Sequence, residues 1–233
     1  MKRCLSLLLL LFALFLFSGC ALFTPKPPLE YRPGAQMDTL SAAVSFSVKK
    51  GKKGMGANGF LLYRRPDRMR VVILSPFGAT MMETVVAGEQ VTVVDNSNGV
   101  AFSGLLAELP EQGNGDTLRQ ARWVMDVPIP GSSLRNGSVE RVNSMGLKER
   151  VTFENGVVVA KSVANGDEAH YNDYVVVNGV PLATGIIISS HNGGRFSISI
   201  SEPEVNTDLP PDAFTPHLDS LVIYPLSALQ GHQ

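Results

Sequence analysis

The sequence predicts a mainly β protein: one antiparallel meander of eleven or twelve short strands, interrupted by a single helical insert. Three observations carry this. From residue 40 onward apolar residues recur with a period close to two, in short β-branched or aromatic runs bounded by Gly, Pro, Asn or Asp. Asn155-Gly156 and Asn178-Gly179 are hairpin-turn pairs, with Asn192-Gly193-Gly194 a third, because these residues accept the positive φ that tight hairpins require. Helical spacing is confined to the middle of the chain, chiefly residues 118–125. Evenly spaced strands of this kind pair as antiparallel neighbours, not as the parallel sheet of an α/β fold.

The elements follow in order. Lys2 and Arg3 precede an apolar run over residues 5–17, broken only by Ser6 and closed by Ser18-Gly19. This is the outline of a secretory leader, and it is shorter than the roughly 20 apolar residues of a membrane-crossing helix. Residues 20–38 contain Pro25, Pro27, Pro28, Pro33 and Gly34 and read as an extended, semi-rigid tether. The domain proper is expected over residues 39–233. Val44, Phe46 and Val48 alternate with Ser45 and Ser47, and a charged turn of Lys49, Lys50, Gly51, Lys52, Lys53 and Gly54 follows. The Gly-rich stretch 54–59 reads as a loose hairpin loop. Strands are predicted at 59–63, 69–74, 81–87, 90–95 and 100–102.

Residues 105–109 make one or two helical turns stopped by Pro110. After a polar loop (111–115), Asp116-Thr117 cap a helix over 118–125 that places Leu118, Ala121, Val124 and Met125 together, with Arg119 and Arg122 away from them. Trp123, the only tryptophan, falls on this segment, and Pro128 and Pro130 end it. Strands resume at 137–142, 148–153, 157–163, 170–177, 184–190 and 195–201. The end is proline-punctuated, with Ala213-Phe214 and residues 221–224 able to pack or pair.

Several strands are apolar on both faces, among them Val71-Val72-Ile73-Leu74, Val157-Val158-Val159, Val175-Val176-Val177 and Ile186-Ile187-Ile188. An antiparallel sheet with one wet face alternates cleanly, so these strands call for cover on both sides. A sandwich supplies it, and so does a strongly curved sheet whose concave face is closed by a helix. The single helical insert favours the curved sheet. Which alternating face points inward is not fixed by periodicity.

Cys20 directly follows the small pair at the end of the leader, an arrangement that resembles the lipobox of bacterial lipoproteins, with Phe17 where Leu is usual. The resemblance implies that residues 1–19 are a lipoprotein signal peptide and that Cys20 is the acylated first residue of the mature chain. Ala21 is not acidic, so the resemblance points to the outer membrane, with the lipid-anchored domain facing the periplasm. Acyl chains contribute roughly 0.8 kcal/mol per buried CH₂, so three of them hold a protein essentially permanently. The remaining 214 residues (233 less 19) suit one domain with a sizeable core. Their formal charge is −3, since Lys2 and Arg3 leave 18 basic against 21 acidic residues. A slightly acidic body attracts neither nucleic acid nor an anionic membrane as a whole. Cys4 departs with the leader, so no thiol remains for a disulfide or a metal.

No catalytic constellation is present, and the chain is expected to be neither an enzyme nor a holder of cofactor or metal. His170, His191, His217 and His232 are scattered without ligand spacing and read as solvated histidines. No Gly-x-Ser-x-Gly elbow occurs. Gly54-Met55-Gly56-Ala57-Asn58-Gly59 has the outline of a dinucleotide loop but opens a strand, so the helix N-terminus that binds pyrophosphate is missing. Lys49, Lys50, Lys52 and Lys53 read as a solvated loop that discourages edge pairing; a contact for lipid phosphates or for an acidic carrier is the alternative.

The run Arg68-Met69-Arg70-Val71-Val72-Ile73-Leu74-Ser75-Pro76-Phe77-Gly78-Ala79-Thr80 resembles the LolB family of outer-membrane lipoprotein receptors: a strand, a turn of the Pro-Leu-Gly kind, then a second strand. The likeness continues through residues 91–95, Pro128-Ile129-Pro130 with Leu134-Arg135, Tyr171-Asn172-Asp173-Tyr174, Val180-Pro181-Leu182 and the hairpin over 186–200, the last shared with the soluble LolA relatives. It implies an unclosed antiparallel half-barrel of about eleven strands with a small helical lid over an apolar cavity. It also implies a monomeric outer-membrane lipoprotein that accepts the acyl chains of lipoproteins from a periplasmic carrier and inserts them into the outer membrane. A lipid-binding or envelope-assembly lipoprotein built on the same fold is the alternative. The resemblance places Phe77 at the membrane-inserting tip, where the other reading folds it back onto its own sheet. Val71, Ile73, Val85, Val158, Val176 and Ile187 are the expected cavity wall, with Leu118 and Met125 on the lid.

Overall fold

In the computed structural model, residues 29–109, 114–128 and 135–232 are described. The leader, Cys20, the start of the tether and the stretches 110–113 and 129–134 lie outside them. Thirteen strands and one α-helix are found among the described residues. They are β1 (Thr39–Lys50), β2 (Lys53–Arg64), β3 (Arg68–Leu74), β4 (Thr80–Ala87), β5 (Gln90–Asp95), β6 (Val100–Leu105), α1 (Asn114–Met125) and β7 (Gly137–Val142). There follow β8 (Lys148–Glu154), β9 (Val157–Val163), β10 (Glu168–Val177), β11 (Val180–Ser189), β12 (Gly194–Val205) and β13 (Val222–Pro225). Short 3₁₀ turns cover Leu106–Glu108 and Leu226–His232.

All strands join one sheet in the order β13-β6-β5-β4-β3-β2-β1-β12-β11-β10-β9-β8-β7. Every pairing is antiparallel except β13 on β6, which is parallel. The sheet is open, since its edges β13 and β7 belong to opposite ends of that order. It is also strongly curved: buried side chains from β1 to β6 and from β8 to β12 meet in one apolar cluster around α1. A flat sheet of this width cannot bring both halves against one helix.

Asn155 and Asn178 take φ of 52° and 51°, each followed by a glycine at φ 80°, the geometry that makes Asn-Gly a tight hairpin turn. The first hairpin is longer than predicted. β1 and β2 run in register from Thr39↔Arg64 to Lys50↔Lys53, so residues 54–59 are strand, not loop. Gly59 is required there, because a Cβ would stand 1.7 Å from the Val72 carbonyl oxygen on β3. The helix also begins earlier than predicted, at Asn114.

The C-terminal tail covers part of the outer face of β2 to β4, whereas Val175 and Val176 on β10 stay exposed. Ala213 and Phe214 bury Val85 on the outer face, with Leu62 and Leu209 beside them. Arg64 lies over the Phe214 ring at 5.3 Å, and Arg70 donates to the Ala213 carbonyl at 3.2 Å. β13 then lengthens the sheet beyond β6, which accounts for strands beyond the expected count. The end of the tether is likewise part of the body: Met37 is buried, the Tyr31 hydroxyl donates to the Asn155 carbonyl, and the Arg32 N–H donates to that of Gly179.

Candidate lipid-binding hollow and exposed tip

A hollow of about 60 Å³ lies between the C-terminal end of α1 and the half of the sheet formed by β9 to β12. Its wall is mostly apolar, with Met125, Val158, Leu182, Ala183, Ile186 and Ile200 among the lining residues, and the Tyr171 and Tyr174 rings contribute as well. Ala35, Gln36 and Met37 of the tether lie across one end. These residues sit where β1 and β12 meet their Thr39 and Val205 ends, so the hollow lies toward that end of the barrel.

The inward pattern switches along β10. Ala169 and Tyr171 face the core, Asp173 takes φ 53°, and Tyr174 then faces inward in turn. Val176, two residues on from Tyr174, is nevertheless 36 % exposed and lies off the hollow.

A buried polar cluster holds the C-terminal end of α1 on the sheet. Lys161 on β9 donates to the carbonyls of Trp123 and Asp126 at 2.8 and 3.0 Å. Tyr171 donates to Val124 at 2.8 Å, Arg65 to Val127 at 2.7 Å, and Arg141 to Asp126 at 3.1 Å. The last carbonyls of a helix have no partner within it, and cations near that end meet the negative pole of its dipole. Glu149 binds the cluster together, accepting from Arg141 Nε at 2.6 Å, Trp123 Nε1 at 2.7 Å and Lys161 Nζ at 3.0 Å.

Burial pushes the Lys161 ammonium down to about 8, with Glu149 opposing the shift. Burial raises the Asp126 carboxyl, but the Ser144 N–H, Arg141 and Lys161 outweigh it and hold Asp126 below the usual carboxylate range. Burial, aided by Tyr174, Glu149 and Asp126 nearby, drives the Tyr171 hydroxyl well above its ordinary value. The sequence hides this cluster, because a charged residue in an alternating strand reads as its wet face. The one available signal is Lys161 at the end of Val157-Val158-Val159-Ala160, a cation in an otherwise apolar run.

The expected cavity residues divide. Met125 and Val158 line the hollow. Val71 and Leu118 pack against the inner core without reaching the hollow, and Ile73 lies half-buried at the inward positions of β3. Three are corrected. Val85 is buried on the outer face beneath Phe214, and Val176 is 36 % exposed near the end of β10 and does not line the hollow. Ile187 alternates with the buried Ile186 and Ile188 and so takes the outer face, opposite His170 and Ser197. His191 is tied by its ring to Asp167 at 2.7 Å and is not simply solvated.

Phe77 stands at the tip of the β3–β4 turn, 97 % exposed. Gly78 takes φ 83°. The Ser75 N–H donates to the Ala79 carbonyl at 2.8 Å, and the Ser75 hydroxyl oxygen accepts from the Ala79 N–H at 3.1 Å. The turn is thus closed by its own bonds and holds the ring away from the sheet.

A single open β wall wrapped round a helix, with an apolar hollow between them, defines the class of lipoprotein-localisation half-barrels. Solved structures share the fold. A candidate outer membrane lipoprotein-sorting protein domain from Vibrio parahaemolyticus superposes with a TM-score of 0.59 at 9 % identity, covering 76 % of this chain and 89 % of that one. A DUF1329 family protein from Desulfovibrio piger gives 0.58 at 10 % identity over 78 % and 90 %. A LolA superfamily protein from Nitrosomonas europaea gives 0.52 at 18 % identity over 77 % and 91 %. No curated protein matches the sequence. The family model for the outer membrane lipoprotein LolB matches residues 38–202, and the chain belongs to that family.

Proposed function

We propose that this protein is an outer-membrane receptor that accepts acylated lipoproteins from a periplasmic carrier and inserts them into the bilayer, with no covalent chemistry of its own. Cys20 anchors it, the hollow receives an acyl chain, and Phe77 enters the membrane at delivery. The observation that carries the reading is the apolar hollow beneath α1. At about 60 Å³ it is below the ~150 Å³ of a dry cavity that holds benzene. The closed arrangement therefore contains no chain, and acceptance requires α1 to lift from the wall. Movement of a chain between two apolar sites conserves burial, so a difference of a kcal/mol or two between them sets the direction.

The test is a photo-crosslinking residue at Val158, in protein mixed with carrier loaded with an acylated lipoprotein. Adducts to the acyl chain are expected at Val158, and none at Ile187 on the outer face. Adducts of free phospholipid alone at Val158 would favour a lipid-binding envelope protein, and labelling equal at both positions would remove the hollow from the account.

A further inference from the structure

The β1–β2 hairpin carries Lys49, Lys52 and Lys53, all exposed, with Lys50 in register opposite Lys53. β12 brings the exposed Arg195 directly opposite Lys49. Like charges facing each other across strands are destabilising, and Lys49, Lys52, Lys53 and Arg195 have no carboxylate partner in an ion pair among the described residues. Edge protection accounts for Lys53 at most: β1 is paired on both sides to its end, and only residues 53–57 of β2 extend past β3. The register also fixes where the hairpin lies. β2 leaves β3 at Asn58↔Leu74, so the lysine tip and the Phe77 turn project from the same end of the barrel, away from the end where the hollow lies. The net charge of the whole chain conceals this patch. The acidic residues nearest that end are Asp95, which accepts from the Asn98 side chain and N–H, Asp167, which is engaged by His191, and Glu168, at 3.8 Å from His170.

We propose that this hairpin, with Arg195, binds the phosphate headgroups of anionic phospholipids while Phe77 enters the hydrocarbon beside it. The proposal rests on the membrane-tip reading of Phe77 and extends it to the class of lipid. Ammonium groups on flexible stems suit phosphates presented at no fixed angle, and an exposed aromatic beside them matches a surface that is ionic outside and apolar within. An acidic protein surface would meet the same charges but offers Phe77 no apolar interior.

The test uses the mature chain from residue 21, exported with a non-lipid leader; among the described residues its apolar core is drawn from residues 35–229. Binding is measured by co-flotation with phosphatidylethanolamine vesicles, with and without phosphatidylglycerol. A lysine near an anionic surface is worth roughly five-fold in binding. The Lys49→Glu, Lys52→Glu, Lys53→Glu triple variant is therefore expected to lose on the order of a hundred-fold on the anionic vesicles. It is expected to match the parent on the neutral ones, and raised salt is expected to erase the difference. Phe77→Glu should weaken binding to both vesicle types. Equal binding of parent and triple variant to anionic vesicles would overturn the lysine proposal and leave the Phe77 reading standing. So would slowed uptake from the carrier with vesicle binding intact, which would assign the hairpin to the carrier. Undiminished binding of Phe77→Glu to neutral vesicles would remove the tip itself.

Discussion

Lys161 is a cation without water, held by Glu149 and by two helix carbonyls. Removing one partner of such a group leaves the other buried and unpaired, which costs about 3–5 kcal/mol. Glu149→Ala is therefore expected to be far more damaging than Lys161→Met, because after the latter Arg141, Trp123 and Asn143 still satisfy Glu149. The pH dependence follows from proton counts. The folded Lys161 releases its proton near 8, while in the unfolded chain it holds it to 10.5. Between those values the unfolded state binds more protons, so stability rises with pH. Tyr63, raised by burial to about 12, and Tyr171 act oppositely: above about pH 10 the unfolded tyrosines ionise first and stability falls. Urea midpoints measured from pH 7 to 11 are expected to rise and then drop, and Lys161→Met should flatten the rise and keep the drop. A profile identical in both proteins would show that Lys161 is not protonated in a dry site.

The C-terminal end of α1 is clamped to the sheet. Lys161 and Tyr171 take its Trp123 and Val124 carbonyls, Arg141 and Arg65 take those of Asp126 and Val127 just past it, and Arg122 buries Nε and Nη1 with no hydrogen-bond partner in the protein. Unpaired buried donors make the closed position less favourable. The C-terminal tail carries the other half of the packing. Phe214→Ala, which uncovers Val85 and the stem of Arg64, is expected to cost about 3–5 kcal/mol in denaturant unfolding, although Phe214 lies beyond the family match. A loss below 1 kcal/mol would mean that the tail is not part of the cooperative core. Most of the strands and the helix were legible because hairpin turns and period-two patterns are local chemistry. Partners distant in sequence were not. Nothing near Val85 announces that residue 214 will cover it, and nothing in the run Tyr171 to Val176 announces that the inward pattern will break at Asp173.

At the scale of the molecule the two ends of the barrel differ in chemistry. The hollow lies toward the end where the tether packs, and the exposed aromatic and the lysine tip lie at the far end. The motif around Phe77 was readable from sequence because a turn of Ser, Pro and Gly puts its fourth residue on the surface whatever the rest of the fold does. The wall of the hollow was readable only in part, since it depends on curvature and on which face wins at each strand, properties of the whole sheet. The measurement that bears most directly on receptor function is a two-step transfer assay with the lipid-anchored protein. Release of lipoprotein from carrier and its arrival in acceptor membrane are followed separately for the parent and for Phe77→Glu. The side chain is 97 % exposed, so stability is expected to change by no more than about 0.5 kcal/mol. The account expects the variant to take lipoprotein from the carrier at the parent rate and to fail at delivery. Delivery at the parent rate would contradict it.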